Sequence, residues 1–485
     1  MPQIFIDGQP FQARTDQTVL QVADAHGIYI PRLCWHPQLS VAGNCRLCVV
    51  QVEGRSWVEI SCNMPVSEGL RVLTDSALVR EHRQATMQFI TLNHPVDCGV
   101  CDKAGECTLQ DYHVAYNGER SISVVPKVEA TKFYPLSPRI TLDNERCILC
   151  TRCVRFTREV SRSHALGVKH RGDHSLIRPA EGPEARALAD DPYSDNIIDI
   201  CPVGALLSTD FLYQDRVWYL QATPSVCPGC ERGCSIDIWH RKPEWRLRRL
   251  DARQNTAIAR VTPRDNPAVN GPWVCNKARD LAKLLERPRA EAPMRKGRAV
   301  PLAEALEAAR ALLAGARHAV ALVSSWGSDE ELRACHAMLQ TLGDRVSVAV
   351  KTDHQPAAGE VLQDALLIRA DKNPNGKTAR ALFGNAPVAF GPDTDLVLVW
   401  GEGADFAGLP RGVPVILLNA FLAPENGHAD VFFPTSLHTE RSGHFTNFEG
   451  VRSAFSSCFA PPAGVVHAEA VFQALALTLS EVATP

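Results

Sequence analysis

A chain of 485 residues with 45% apolar and 22% charged residues has an ordinary globular composition and is too long for one core, so two to four domains are expected. A formal net charge of −3 and a pI near 6.6 exclude the basic footprint of a nucleic-acid-binding protein. The longest near-apolar run, "GVPVILLNAFLA", has 12 residues, too few to span a bilayer. The opening "MPQIFIDGQPF" lacks the basic and apolar regions of a signal peptide, so membrane contact is expected only through partner subunits.

In chain order, "IFIDGQPFQA" reads as a hairpin turning at Asp7-Gly8. The following "TDQTVLQVADAHG" reads as a helix, with Thr15 or Asp16 able to cap its start and Gly27 its end. Strands follow in "RLCVVQVEG" and "GLRVLT", giving a small sheet that embraces one helix. Residues 77–93 read as a helix that delivers His94 at its end. The basic run Arg241–Arg253 reads as a solvated hairpin. A linker is expected near residue 285, in "LLERPRAEAPMRKGRAVP". From 300 onward, helices ("LAEALEAARALLAG", "SDEELRACHAMLQTLG", "HAEAVFQALALTLSEV") and buried strands ("AVALVSS", "DLVLVWG", "PVILLNA") give an α/β layered pattern. No G-x-G-x-x-G follows a strand and no Walker motif occurs, so no nucleotide site is expected on this chain.

The cysteines carry the chemistry. Of 17, fifteen lie between Cys34 and Cys275. Without a secretion signal, such clustering indicates metal rather than disulfides. Cys34, Cys45, Cys48 and Cys62 form one quartet, and His94, Cys98, Cys101 and Cys107 a second. Cys147-x2-Cys150-x2-Cys153 is completed by Cys201, and Cys227-x2-Cys230-x3-Cys234 by Cys275. Fifteen cysteines and one histidine thus make four sites of four. The triplets, and the proline that follows Cys201, have ferredoxin spacing; zinc sites more often pair two CxxC units across a finger. A zinc-stabilised scaffold without redox function is the competing reading, and His94 alone would pass as a histidine at a helix end. With three cysteines lacking a fourth ligand, His94 reads as that ligand. Cys335 falls on the apolar face of a helix and reads as core, and Cys458 as a lone thiol.

This order of motifs resembles the large iron–sulfur subunit family of bacterial NADH:quinone oxidoreductase, complex I. The resemblance implies α+β iron–sulfur domains, namely a 2Fe-2S ferredoxin-like β-grasp and then 4Fe-4S ferredoxin-like modules, followed by a shortened α/β molybdopterin-oxidoreductase-like domain. The domains so expected are residues 1–77, 78–118, 119–219, 220–285 and 286–485. It implies one 2Fe-2S cluster on Cys34, Cys45, Cys48 and Cys62, and a 4Fe-4S cluster on each other group. It implies no molybdopterin. The implied partners are a flavin- and NADH-binding subunit and the other iron–sulfur and quinone-site subunits of complex I. The implied location is peripheral, on the cytoplasmic side of the bacterial inner membrane. The segments Arg369–Arg380 and Ala429–Phe455 are similar to the molybdopterin-oxidoreductase domain that the family uses as scaffold. The rival is an electron-transfer subunit of a soluble NAD-linked hydrogenase or formate dehydrogenase.

Overall fold

The computed structural model describes residues 1–118, 120–247, 255–352, 354 and 359–482. The chain divides into two compact units, Met1–Tyr219 and Leu220–Pro485.

The first unit opens with β1 (Gln3–Ile6) and β2 (Gln9–Gln12), turned by Asp7 and Gly8 at positive φ. Two left-handed residues in succession suit the right-handed twist of a two-residue hairpin. Helix α1 (Val19–Ala25) starts later than the expected Thr15 or Asp16: its cap is Thr18. Thr18 Oγ1 accepts from the Gln21 amide while the Gln21 side chain accepts from the Thr18 amide, a reciprocal box that neither earlier residue can form. Asp16 is engaged instead by Arg14. Strands β3 (Val49–Val52), β4 (Val58–Ile60) and β5 (Arg71–Leu73) complete a sheet of order β2-β1-β5-β3-β4, in which β1 and β5 run parallel. Val19, Leu20, Val22 and Ala23 of α1 close its core, which includes Cys48 and Cys62.

Helix α2 spans Ala77–Asn93, starts at the Ser76 cap and ends at His94, as the sequence predicts. Beyond it come α3 (Thr108–Tyr112), β6 (Tyr134–Ser137), β7 (Ile140–Leu142), α4 (Arg152–Glu159), β8 (Leu166–Lys169), β9 (Leu176–Pro179), α5 (Asn196–Ile200) and β10 (Leu206–Ser208). Here the regular elements are short, and cysteine-bearing loops fill the space between them.

The second unit begins with an antiparallel sheet of β11 (Leu220–Val226), β12 (Ser235–Arg241) and β13 (Arg260–Pro263), followed by α6 (Asn276–Arg279) and α7 (Leu281–Leu285). Of the basic run, Arg241 ends β12 and is buried, while residues 248–253 lie outside the described residues. The stretch read as a linker carries β14 (Met294–Arg295) and β15 (Arg298–Ala299). Through β14 against β20 (Val431–Pro434) it joins the main sheet. The remaining elements are α8 (Leu302–Gly315), β16 (Ala319–Ser324), α9 (Asp329–Gln340), β17 (Val346–Lys351), α10 (Gly376–Phe383), β18 (Leu396–Trp400), β19 (Val415–Asn419), β21 (Gly443–Thr446), β22 (Arg452–Phe455) and α11 (Ala468–Val482). Sheet order is β15-β14-β20-β19-β18-β16-β17, parallel from β20 to β17. Every residue of β18 and β19 is buried, as continuous apolar strands covered on both faces must be. Cys335 is fully buried in the core that α8, α9 and α11 build on one face.

Candidate metal centres

In the first unit, Cys34, Cys45, Cys48 and Cys62 converge as two pairs. The Cys34 and Cys45 sulfurs are within hydrogen-bonding contact, as are those of Cys48 and Cys62, and the charge of Cys34 reaches both members of the second pair. The loop carrying them needs left-handed backbone at Gly43 and Arg46. Arg46 adopts it at a steric cost of about 1–2 kcal/mol. The result aims amides of Leu33 and Leu47 at the Cys45 sulfur, and those of Asn44 and Cys45 at Cys34. Contact with its partner lowers the Cys34 thiol, and the proton stays on Cys45. Two sulfur pairs joined across a short gap match two iron atoms with two thiolates each.

Around His94, helix α2 ends and the chain extends. The Nδ1 atom is buried and has no hydrogen-bond partner, and burial lowers the imidazole to about 4, so it is neutral at physiological pH. A histidine paired with its helix end would be charged and satisfied. Cys98 and Cys101 flank a 3-10 turn, and Cys107 leads into α3, whose Leu109 and Gln110 amides point at its sulfur. The three thiols interact, and His94 shares its neighbours Asp97 and Arg146 with Cys101. Arg146 is itself buried, paired with Asp97 at 2.6 Å, yet its Nη1 has no partner. An orphaned imidazole nitrogen and an orphaned guanidinium nitrogen beside three thiols fit a bound anionic cluster. Gly204 lies directly against this site: a Cβ there would overlap the Cys101 sulfur. Gly204→Ala is therefore expected to remove this one cluster while leaving the others. Iron content and electron paramagnetic resonance (EPR) check it, and an unchanged signal set would contradict the placement.

Cys147, Cys150, Cys153 and Cys201 line a cavity whose other walls include Leu142, Ile148, Ile177, Val203, Ala205 and Leu206. Leu149 and Thr151, between the cysteines, both have positive φ. That alternation turns the Leu149 and Arg152 amides toward the Cys147 and Cys150 sulfurs. Burial pushes the Cys147 thiol up to about 12 and Cys150 to about 11, and raises Cys153 well above the ordinary thiol value. Four thiols in an apolar cage are stable as thiolates only when a metal replaces their protons.

The fourth group lies in the second unit. Cys227 follows β11, Cys234 precedes β12, and Cys275 caps α6; the charge of each of Cys227, Cys230 and Cys275 reaches Cys234. Cys275 is thus brought to the triplet although 40 residues separate it from Cys234 in the chain. Its sulfur receives the Lys277 and Ala278 amides. Among the described residues the cysteines are free of disulfides. Nor does any group of three or more His, Cys, Asp or Glu among them converge tightly enough for a single metal ion. Cys335 is outside all four groups, and burial alone raises it. Cys458 is part-buried and pushed up to about 11 by burial.

Sequence reasoning missed the cations between the sites. Arg155 donates to Cys34 O at 2.6 Å and to Cys150 O at 3.0 Å; Arg152 donates to Trp35 O at 2.7 Å and Ile200 O at 2.9 Å. The signal was there, Arg152 and Arg155 among the three arginines of "CTRCVRFTRE", but pairing with a distant loop is not written in local spacing. A second missed feature is a cavity of about 430 Å³ in the second unit, at the carboxyl ends of β16 and β18, where the strand order reverses. Its walls include Trp326, Lys372, Trp400 and Arg441.

Thiol groups on a ferredoxin-type sheet and on ferredoxin-type loops define an iron–sulfur protein. Four family models match: a 2Fe-2S iron–sulfur cluster binding domain over residues 2–77, and an NADH-ubiquinone oxidoreductase-G iron–sulfur binding region over 83–121. The ferredoxin-like domain of NADH-quinone oxidoreductase subunit 3 matches 137–207, and the molybdopterin oxidoreductase Fe4S4 domain 220–287. The chain is 38% identical over 301 residues to NADH dehydrogenase [ubiquinone] iron-sulfur protein 1 of Solanum tuberosum, covering 61% of this chain and 38% of that protein. It is 37% identical to the NADH-ubiquinone oxidoreductase 75 kDa subunit of Reclinomonas americana, over 61% of this chain and 40% of that one. A solved NAD+-reducing [NiFe]-hydrogenase chain matches at 30% identity and a TM-score of 0.38, covering 44% of this chain and 91% of that one. Over its iron–sulfur domains, the chain is similar to the large iron–sulfur subunits of NADH–quinone oxidoreductase. It spans about two fifths of the length of these curated relatives.

Proposed function

We propose that the chain is an iron–sulfur relay subunit in the peripheral arm of a respiratory NADH:quinone oxidoreductase, with no substrate site of its own. Cys34, Cys45, Cys48 and Cys62 hold a 2Fe-2S cluster. His94, Cys98, Cys101 and Cys107 hold a 4Fe-4S cluster, as do Cys147, Cys150, Cys153 and Cys201, and Cys227, Cys230, Cys234 and Cys275. The domains are those bounded at 77, 118, 219 and 285. Such clusters store and release single electrons, and the chain's residues set how readily. Electrons come from a flavin- and NADH-binding partner and leave toward quinone-site subunits, on the cytoplasmic side of a bacterial inner membrane. Among the described residues no helix is long and apolar enough to cross a membrane.

The observation that supports this reading is the gathering of the fifteen cysteines into four groups, three of them linked within one compact unit, with His94 sharing Asp97 and Arg146 with Cys101. The first and third groups share Arg152 and Arg155. The third and second meet through Pro202 and Gly204, next to Cys201: Cys107 Sγ lies 3.9 Å from Pro202 O. The first and second are joined farther from their ligands, where Tyr112 accepts from the Arg32 amide at 2.9 Å. That supports transfer in the order first, third, second; the off-path place of the fourth group is what the family resemblance implies. No molybdopterin is assigned, because cations of the second-unit cavity are engaged by the chain itself. Lys372 donates to Leu362 O and Arg369 O, Arg287 pairs with Glu402, and Arg441 with Glu331. Purifying the native assembly through this chain tests the reading. A flavin-bearing, NADH-oxidising companion and quinone reduction are expected; a nickel-containing companion that takes up hydrogen would overturn it.

A further inference from the structure

Helix α4 carries two arginines whose guanidinium groups leave their own loop and enter another. Arg155 is buried, 4% exposed. Its Nη2 donates to the carbonyl of Cys34 at 2.6 Å and to that of Cys150 at 3.0 Å, its Nη1 to Ser40 O, and its Nε to Thr151 Oγ1 at 3.3 Å. Every acceptor is neutral. Glu159, the nearest acid, is occupied by the Ser40 amide and hydroxyl and by Arg158. Arg152 repeats the pattern one turn earlier, joining Trp35 O to Ile200 O, each next to a cysteine of a different site; its buried Nε has no partner. Two permanent positive charges are therefore held between the loops of two groups of thiols, hydrogen-bonded to neutral oxygens, with Glu159 the one carboxylate that acts on Arg155.

Burying a guanidinium with only neutral carbonyl and hydroxyl partners is costly, and the cost is met when anions stand on both sides. Reduction adds a negative charge to whichever side receives the electron, so a fixed cation stabilises the reduced form of both. The planar fork also sets the spacing of the two loops, which a single lysine nitrogen would not do.

We infer that Arg155, with Arg152 beside it, is a positioning bridge that fixes the Cys34–Cys62 and Cys147–Cys201 sites against one another and raises the reduction potentials of both. This rests on the cluster assignment proposed above. The test is a redox titration, followed by EPR, of assembled enzyme carrying Arg155→Met, Arg155→Lys or Arg152→Met. Arg155→Met is expected to lower both potentials by about tenfold in the oxidised-to-reduced ratio, about 59 mV for one electron. The His94-site and Cys227-site signals should hold their potentials, and Arg155→Lys should restore most of the shift. If Arg155→Met does not assemble, Arg152→Met reads the same quantity, with a smaller shift of the same sign at both sites. No shift in a variant that keeps its signals, a shift at one site only, or an equal shift at all four overturns the bridge. Wild-type enzyme without 2Fe-2S and 4Fe-4S signals would instead overturn the cluster assignment itself.

Discussion

Cys150→Ala is expected to abolish NADH-to-quinone electron transfer in the assembled enzyme, whereas Cys230→Ala keeps most of it. Cys150 lies in the site that faces both others of the first unit: its carbonyl shares Arg155 with Cys34, and the segment from Cys201 to Gly204 leads to Cys101. Losing that site removes the intermediate between the other two. Cys230 belongs to the group in the second unit, on a separate antiparallel sheet. Its loss should delete one 4Fe-4S signal and lower stability. Steady-state NADH:quinone activity, normalised to bound flavin, decides between them. Equal loss in two variants that assemble equally well would refute the off-path place of the fourth group.

The second large effect concerns His94. As a neutral ligand it leaves its cluster one charge less negative than four thiolates would. His94→Cys should keep a 4Fe-4S cluster and lower its potential by on the order of 100 mV or more, judged from the larger shift that two histidines give Rieske centres. His94→Ala should leave a labile or three-iron cluster. The orphaned Nδ1 atom, in a ring that burial keeps neutral, is what separates a ligand from a helix cap here. A redox titration in which His94→Cys is unshifted, with an intact cluster in His94→Ala, would remove His94 from the ligand set.

Much of this was legible in the sequence because the informative features are local. The helix that carries His94 was read over residues 77–93 and spans them, from a Ser76 cap that the sequence reading did not single out. Ligand spacing is likewise a property of loops, where left-handed residues such as Arg46, Leu149 and Thr151 wrap the chain around its own thiols. What the sequence concealed is long-range. Strand β4 is three residues long and takes its identity from pairing with β3. Strand β17 lies at a sheet edge, so its alternation is only half buried. The segment near 290 looked like a linker because it is rich in proline and charge, yet two residues of it suffice to hydrogen-bond Val431 and Phe432. The start of α1 was misjudged for a subtler reason. Three residues near it can cap a helix, and only the Thr18–Gln21 pair is reciprocal. The arginine bridge was invisible for the same reason as β4, since its partners are more than a hundred residues away.

The most direct measurement is the metal content of the anaerobically purified protein, together with Mössbauer spectra of material grown on 57Fe. One 2Fe-2S and three 4Fe-4S clusters require about fourteen iron atoms per chain, with about a seventh of the iron in the two-iron spectrum. That is the expected result. A value near ten would mean that one 4Fe-4S group, with Cys275 as the ligand to examine first, holds no cluster. A colourless protein carrying zinc in place of iron would contradict the relay altogether.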